Sequence, residues 1–337
     1  MSDYIRLAHG YGGRLTQELI DGIIYPALSG THEHPVTLDA AVLESLEPPV
    51  VVSTDSFTVS PRFFPGGDIG SLAVHGTVND VAMMGAQPSF ITLGLILEEG
   101  LELNILRRVM TSLGNACREA GVQVVSGDTK VVEKGTIDGL FINTTGFGTQ
   151  TFGNLGPAYI KPGDKILLSG TLGDHGTAIL NARESLGFSG GLVSDSAALN
   201  GLIRVLAESS GDALHALRDP TRGGMSATLN EFAADTGLMY HIYEDDIPVR
   251  PEVRGFTELL GLDVLTLANE GKFIAFVASD AADQALKALH SHPLGTDAAI
   301  IGHVEETLNR GTVVLETVIG TKRIIDMPVE EGLPRIC

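Results

Sequence analysis

The sequence has little cysteine, few basic residues and no long apolar run. Cys117 and Cys337 are the 2 cysteines among 337 residues, which excludes a disulfide framework and makes a reducing, cytoplasmic location the expectation. No stretch approaches the roughly 18 uninterrupted apolar residues of a membrane-spanning helix. The amino terminus "MSDYIRLAHGYGG" lacks the apolar region of a signal peptide. We therefore predict no membrane association.

Positive charge is also scarce. The 42 acidic residues outnumber 22 basic ones, which gives a formal net charge of −20. A nucleic-acid surface needs clustered Lys and Arg, so nucleic acid is excluded as a partner. Most of these carboxylates are expected to keep the protein soluble. The charge still permits nucleotide binding, because carboxylates can hold Mg²⁺ and the ion can hold phosphates.

Strand-like apolar runs alternate with helical patterns along the whole chain. We predict helices over 101–121 and from 173 onward, and strands over 49–53, 122–128, 139–148, 165–170, 272–279 and 312–318. The Gly/Pro-rich stretch 151–164 is the best candidate for a domain boundary. The same mixture on both sides predicts two α+β (or α/β-like) halves. Cys117 falls on the apolar stripe of the helix over 101–121, so we expect an inert core thiol there.

The last ten residues, "PVEEGLPRIC", follow neither a helical nor a long alternating period. Pro334 favours an extended backbone at Leu333. We predict a flexible, extended tail that could reach about 30 Å from Pro328. A thiolate at Cys337 would be repelled by its own α-carboxylate, an effect that Arg335 offsets only in part. The advantage of this thiol is its reach, and the site it enters would have to activate it.

Aspartates recur at predicted strand ends and turns. They are Asp39, Asp55, Asp80, Asp128 and Asp219. Clustered carboxylates repel one another unless a cation lies between them, and Mg²⁺ is the usual choice beside phosphates. Any single one of them is explained as well by the preference of Asp for turns. The recurrence favours a site.

Other polar signals are weaker. The glycine loops at 9–14, 65–70 and 169–176 could bring backbone amides to a phosphate, but the chain has no P-loop motif and ordinary tight turns explain each loop. The "HEH" at 32–34 lacks the partners of a zinc site. His75 and Asn79 would share a helix face beside Asp80. Lys130 and Glu270 are candidate acid–base groups or simple surface charges.

Several motifs resemble those of a known enzyme superfamily. "STDSF", "GTVNDVAMMGAQP", "GDTKVV" and "RDPTRGG" are similar to segments of aminoimidazole ribonucleotide (AIR) synthetase, selenophosphate synthetase and thiamine-monophosphate kinase. The terminal "PRIC" is typical of one branch, the HypE family of hydrogenase maturation factors. This resemblance spans essentially the whole chain.

The resemblance implies a two-domain, AIR-synthetase-like (PurM-like) fold. Residues 1–155 would form an ATP-binding, dimer-forming domain, 156–327 a second α/β domain, and 328–337 a mobile tail. The implied activity is that of an ATP-dependent carbamoyl dehydratase. A carbamoyltransferase, HypF, would load a carbamoyl group onto Cys337, and dehydration would convert it to a thiocyanate. The cyanide would then pass to iron on a HypC–HypD scaffold complex, for use in [NiFe]-hydrogenase.

The resemblance also implies residue roles. Asp55, Asp80, Asp128 and Asp219 would hold Mg²⁺ and the phosphates of ATP, with Asp39 a weaker candidate. The implied nucleotide pocket includes Asn79, Asn143 and Thr145. Lys130 and Glu270 would orient or deprotonate the thiocarbamate. A homodimer is implied, with the amino-terminal sheets joined in a barrel-like arrangement and nucleotide near the interface.

Two alternatives remain open from the sequence. One is a small-molecule kinase or synthetase of the same superfamily, of the selenophosphate synthetase or thiamine-monophosphate kinase type. For these, the terminal cysteine has no purpose, and "LAHGYGG" lacks the cysteine expected of selenophosphate synthetase. The other is a scaffold whose Cys337 binds a metal, although one thiol is a poor metal site.

Overall fold

The computed structural model describes most of the chain in eight segments. They are 4–6, 19–28, 49–153, 155–184, 186–188, 190–307, 310–328 and 335–337. Asp39, the glycine loop at 9–14 and the "HEH" at 32–34 lie outside the described residues, as does most of the predicted tail. Within the described segments, no helix is both long and apolar enough to cross a bilayer.

The first sheet has four strands in the order β1–β6–β4–β5. Its strands are β1 (Val50–Phe57), β4 (Ala86–Glu98), β5 (Gln123–Val132) and β6 (Leu140–Gln150), with a small β2 (Phe63–Phe64) and β3 (Gly67–Asp68) ribbon beside it. β4 and β5 run parallel, whereas the other neighbours are antiparallel. This strand order places β1 and β5 at opposite edges of the sheet.

One face of this sheet is covered by two helices, α2 (Ile69–Met83) and α3 (Leu103–Ala120). A π-helical turn (Ile20–Ile24) continues into the short α1 (Tyr25–Leu28) and packs on α3. α3 confirms the helix predicted over 101–121, and it ends at Gly121, whose φ of 71° suits glycine. Cys117 is fully buried in the core, and burial raises the pKa of its thiol to about 12. The prediction of an inert core cysteine is confirmed.

The second sheet has seven strands in the order β13–β12–β9–β11–β7–β10–β8. They are β7 (Lys165–Leu168), β8 (Leu214–Arg218), β9 (Met239–Tyr243), β10 (Ile274–Val277), β11 (Ala299–Glu305), β12 (Thr312–Glu316) and β13 (Lys322–Ile325). Its helices are α4 (Asp174–Glu184), α5 (Asn200–Ser210), α6 (Gly224–Thr236), α7 (Pro251–Leu260) and α8 (Ala282–His290). The mixture of helices and two sheets confirms the predicted α+β fold, and the Gly/Pro-rich stretch 151–164 lies between the two sheets.

The two sheets share a packed junction. Ala82 and Met83, at the end of α2, lie in one apolar cluster with Leu199 and Leu202 of the second unit. Burial of apolar surface contributes about 25 cal/mol per Å², so this contact stabilises the relative position of the two units. The junction brings the end of β1, helix α2 and the loops of the second sheet together.

Candidate active site

β1 and α2 position the first two carboxylates. Alternate residues of β1 face α2, and Asp55 is one of them. A Cβ at Gly76 would lie 3.0 Å from the Phe57 ring and 3.8 Å from Asp55 Oδ2, so glycine allows the close approach of strand and helix. Asp80 lies one turn after Gly76 on α2, and its Oδ2 accepts a hydrogen bond of 2.7 Å from Ser53 Oγ.

Two loops of the second unit supply the other two carboxylates. Asp219 follows β8 in the "RDPTRGG" segment, where Gly223 and Gly224 have φ of 76° and 61°. A Cβ on Gly224 would lie 2.6 Å from the carbonyl oxygens of Leu265 and Leu267, so this tight entry into α6 requires glycine. Glu270 lies in the loop before β10 and is only 3% exposed.

The four carboxylates affect one another's titration. Burial, followed by the charge of Asp80, raises the pKa of Asp219 to about 7. Burial also raises the pKa of Glu270 well above its ordinary value, and Asp219 is the largest charged contributor. Burial raises the pKa of Asp55 and of Asp80 as well; Asp80 adds to the shift at Asp55, and the Ser53 hydroxyl opposes the shift at Asp80. The structure therefore brings together Asp55, Asp80, Asp219 and Glu270.

The donor set fits a hard divalent cation. Carboxylate oxygens are the ligands that Mg²⁺ prefers, and a cation among them would lower their raised pKa values. Glu270 Oε1 is buried and makes no hydrogen bond, which is costly for a polar atom unless a ligand satisfies it. The residues present therefore fit Mg²⁺ together with a phosphate-bearing substrate.

Sequence reasoning missed a buried ion pair that holds the Glu270 loop. Asp195 accepts hydrogen bonds from the backbone amides of Glu270 and Gly271, at 3.2 and 3.1 Å. Its Oδ2 lies 3.3 Å from Lys272 Nζ, and the two side chains are 1% and 11% exposed. Lys272 lies two residues after Glu270, which the sequence did indicate, so this closeness was the available signal. Asp195 lies near no predicted site residue.

Two arginines of the "RDPTRGG" segment were also missed as site residues. The charges of Arg218 and Arg222 both lower the pKa of Asp80 and so oppose the increase that burial causes. Arg218 also lowers the pKa of Asp219, and its Nη2 lies 2.7 Å from Glu231 Oε2. Both arginines stand in a quoted motif, which was the signal that could have found them.

Asp128 and Lys130 do not join this cluster within one chain. They lie on β5, at the sheet edge opposite β1, and Lys130 Nζ is 3.5 Å from Asp128 Oδ2. Their side chains are 72% and 69% exposed. The edges are about 14 Å apart at 4.8 Å per strand. Asp128 is thus the one predicted metal ligand in the described segments that stays apart from the others.

The predicted nucleotide-pocket residues occupy two different environments. Asn79 is 1% exposed, and its side chain bonds the backbone at Ala197 and Leu199, at 3.1 and 2.8 Å. Asn143 lies on the exposed face of the first sheet and donates to the Asp55 carbonyl oxygen at 2.8 Å. Thr145 lies on the same face and donates to Thr54 Oγ1 at 2.9 Å. Their roles toward a nucleotide stay predictions.

The two described glycine loops begin helices. Asp68, in the loop at 65–70, caps α2 by accepting from the amides of Gly70 and Ser71, at 2.8 and 3.1 Å. The loop at 169–176 leads into α4, and the amide of Gly173 donates to Asn269 Oδ1 at 2.8 Å. His75, on α2, bonds Ser196 Oγ at 2.9 Å. These loops position helices at the junction.

The last three residues of the chain lie at the same junction. Thr58, which follows β1, donates to the Cys337 carbonyl oxygen from its amide at 3.0 Å and from its hydroxyl at 3.3 Å. His175 Nε2 bonds the Ile336 carbonyl oxygen at 2.8 Å, and Ile336 is 3% exposed within the first core. Burial lowers the pKa of His175, so its ring is neutral near pH 7 and Nε2 carries the donated hydrogen.

Arg335 completes this contact. Its Nε donates to the Thr58 carbonyl oxygen at 2.9 Å, and its Nη2 lies 3.1 Å from Asp138 Oδ2. Arg183 of α4 donates to the carbonyl oxygens of Ser60 and Arg335, both at 2.8 Å. Arg335 and Ile336 are therefore bound by both structural units, and Cys337 is bound by Thr58 of the first unit.

Comparison with known proteins agrees with this geometry. Two family models match the chain, the AIR synthase related protein N-terminal domain over 38–150 and the C-terminal domain over 161–314. The carbamoyl dehydratase HypE of Escherichia coli K12 is 49% identical over 99% of both chains. A crystal structure of hydrogenase maturation protein HypE in complex with ATP matches with a TM-score of 0.93 and 46% identity, over 98% of this chain and 99% of that one.

A HypE–HypF complex also matches this chain. The matching chain of that complex is 45% identical and has a TM-score of 0.80, over 94% of this chain and 100% of that one. The full-length identity and the matched domains together show the family. This chain belongs to the HypE carbamoyl dehydratases, within the AIR synthase related proteins.

Proposed function

We propose that this chain uses ATP to dehydrate a carbamoyl group carried on its own Cys337. The observation that carries the proposal is the docking of the terminal residues at the end of β1, the strand that holds Asp55. Thr58 contacts the Cys337 carbonyl oxygen and lies three residues after Asp55, which is about 10 Å along a strand. The docked terminus is therefore close enough for a group on the thiol to reach the carboxylate site after a short shift of the tail.

The reaction needs a better leaving group than oxide. The carbamoyl oxygen attacks the γ-phosphorus of ATP, the bond from that phosphorus to ADP breaks, and loss of one nitrogen-bound proton gives an O-phosphorylated thioimidate. Loss of the remaining nitrogen-bound proton and of phosphate leaves the nitrile, so the oxygen departs as inorganic phosphate. Asp55, Asp80 and Asp219 would hold Mg²⁺, which supplies positive charge to the phosphates.

Glu270 is the better placed proton acceptor within one chain. Its Oε1 is buried and makes no hydrogen bond, so a lone pair of this oxygen can accept a proton from a docked group. The pair formed by Asp195 and Lys272 holds the loop that presents it. Lys130, on β5, would assist only from another subunit.

A homodimer through the outer face of the first sheet would unite these groups. That face is opposite α2 and α3, and it exposes Val50, Val52 and Ile96 by 42%, 55% and 39%. Apolar side chains exposed on the open face of a sheet favour contact with another protein surface. A second copy seated there would bury the valines and bring Asp128 and Lys130 toward the partner's nucleotide.

The dimer is tested by placing charge on this face. We expect Val52→Glu to convert the dimer to monomer in sedimentation velocity, because a buried carboxylate without a partner is strongly unfavourable. Val318→Glu, at a site that is 60% exposed on the second unit, is the matched control and should leave the dimer intact. Dimers of equal stability in both variants would refute this interface.

The partners are proposed from the relative's complex and the reaction. A carbamoyltransferase of the HypF kind would load Cys337, and a HypC–HypD-like complex would accept the cyanide for an iron centre. Both encounters require the tail to leave the junction and return. We propose a cytoplasmic location for this exchange.

Intact mass spectrometry tests the function directly. The protein is incubated with its carbamoyltransferase, carbamoyl phosphate and ATP, freed of these reagents, and divided with and without MgATP. We expect a carbamoyl increment on Cys337, followed by the loss of one water equivalent only where MgATP is present. An unmodified Cys337 with an active partner enzyme would contradict the proposal and favour a kinase of the same superfamily.

A further inference from the structure

A second cluster of metal-binding side chains lies on the seven-stranded sheet, on strands that contribute nothing to the carboxylate site. His241 on β9 is in register with His303 on β11, so both rings face the same side. Glu305 follows His303 by two residues and shares that face. Ile242 and Val304, which directly follow the two histidines, belong to the buried core on the other face.

One carboxylate oxygen lies between the two rings. Glu305 Oε1 is 3.2 Å from His241 Nδ1 and 2.7 Å from His303 Nε2. One ligand atom from each of the three residues lies within 4.8 Å of the other two. A tetrahedral cation with bonds of about 2.1 Å separates its ligand atoms by about 3.4 Å, so small rotations of the three side chains would admit it.

The far nitrogens of both rings already face oxygen atoms. His303 Nδ1 is 3.4 Å from Tyr243 Oη, and His241 Nε2 is 3.2 Å from Glu316 Oε2. The Tyr243 contact can select the tautomer of His303 whose lone pair points at a metal, and Glu316 would do the same for His241 once that ring rotates toward the ion. His241 Nε2 is not aligned for a hydrogen bond and has none, so this nearly buried ring is not satisfied by the protein alone.

His241 lies between two carboxylates. A neutral imidazole carries one N–H, yet His241 faces a carboxylate from each of its nitrogens. One carboxylate must then face a lone pair, which is repulsive unless a proton or a metal ion lies between them. Lys322 Nζ lies 3.7 Å from Glu316 Oε2 and offsets the charge of Glu316. The charge of Glu305 is faced by the two rings.

We propose that His241, His303 and Glu305 bind a divalent transition-metal cation of the Zn²⁺ class. Imidazole with a single carboxylate suits Zn²⁺ and similar ions, whereas Mg²⁺ prefers oxygen ligands. The side chains of His303 and Glu305 are 24% and 37% exposed, so the ion can enter from solvent. Three protein ligands leave a fourth position for water or for a ligand atom of another molecule.

The test uses the full-length protein in a Cys337→Ser background, so that the terminal thiol does not bind the ion. After treatment with a chelator, Zn²⁺ is titrated by calorimetry in the presence of millimolar Mg²⁺, and bound metal is counted after dialysis. We expect one equivalent of Zn²⁺, and Co²⁺ should give the intense visible absorption of a tetrahedral site. Mg²⁺ should not displace either ion.

Variants locate the ion. His303→Ala and the isosteric Glu305→Gln should each lose the bound equivalent of Zn²⁺. Glu305→Gln keeps the size of the side chain, so it separates loss of a ligand from a folding defect. Glu316→Gln should weaken binding by about tenfold, as loss of an outer contact does. The double variant His32→Ala and His34→Ala is the matched control and should bind normally.

The opposite pattern would overturn the proposal. Loss of the equivalent in the control variant, with retention in Glu305→Gln, would assign the ion to the "HEH" segment. A stoichiometry near zero in the parent protein would remove the site altogether. Neither result bears on dehydration of the carbamoyl group on Cys337, which is proposed for the cluster that contains Asp55, Asp80 and Asp219.

Discussion

Replacing Asp219 by Asn should stabilise the metal-free protein while abolishing its activity. Asp219 lies among carboxylates that repel it and is 9% exposed. Its proton is held more tightly in the folded chain than in the unfolded one, because its pKa rises from 3.8 to about 7. The folded state therefore binds more protons, and the free energy of unfolding falls as pH increases from about 4 to about 7.

The size of the effect follows from that pKa. A rise of about 3 pKa units corresponds to about 4 kcal/mol at pH 8, which is an upper limit because the neighbouring carboxylates share protons with Asp219. A neutral Asn also removes the largest charged contributor to the raised pKa of Glu270. We expect Asp219→Asn to gain about 1–4 kcal/mol at pH 8, and to show a flatter pH dependence between pH 5 and pH 8.

The assay is urea unfolding at pH 5 and pH 8 in EDTA, followed by the same measurement with MgATP. The wild-type protein should recover stability at pH 8 when MgATP is added, because ligands that bind the folded state stabilise it. Asp219→Asn should recover less. Asp297→Asn, at an exposed position before β11, is the matched control for loss of one negative charge.

One result would refute the reasoning. If Asp219→Asn in EDTA at pH 8 were no more stable than the wild-type protein and the Asp297→Asn control, repulsion among these carboxylates would not be a cost of the fold. The cluster would then lack the carboxylate repulsion that a bound cation is expected to reduce.

Three further predictions concern the thiols, the tail and the metal ligands. Cys117→Ala should lower the free energy of unfolding by about 1–2 kcal/mol by leaving a small cavity, without changing carbamoyl acceptance in the mass assay. Ile336→Ala should slow single-turnover dehydration of a loaded tail by at least about tenfold, because a weaker apolar contact lowers the docked population; Ile319→Ala, 84% exposed, should not, and equal rates would contradict the docked geometry. Asp80→Asn or Asp128→Asn should block nitrile formation yet permit loading by the carbamoyltransferase, and the reverse pattern would exclude them as ligands for Mg²⁺ and phosphate.

Local patterns predicted the elements that bury one face. The helix over 101–121 was found near its predicted limits, and the strands predicted over 122–128 and 139–148 were found as the longer β5 and β6, whereas β4 was not predicted. A periodic apolar face specifies both the type of an element and the side it buries. Cys117 could be placed in the core for the same reason. Short apolar runs such as 272–279 gave a strand but no neighbour, since periodicity carries no information on pairing.

The sequence by itself indicated the fold class, the family and the carboxylates that are candidates for the site, because motif residues and apolar periods are local properties of the chain. Tertiary structure decided which of them meet. Asp55, Asp80, Asp219 and Glu270 converge because two units pack at one junction, whereas strand order puts Asp128 at the far edge of its sheet. Asp195, Lys272 and the docked "RIC" terminus depend on contacts between residues distant in sequence, and no spacing along the chain encodes such contacts.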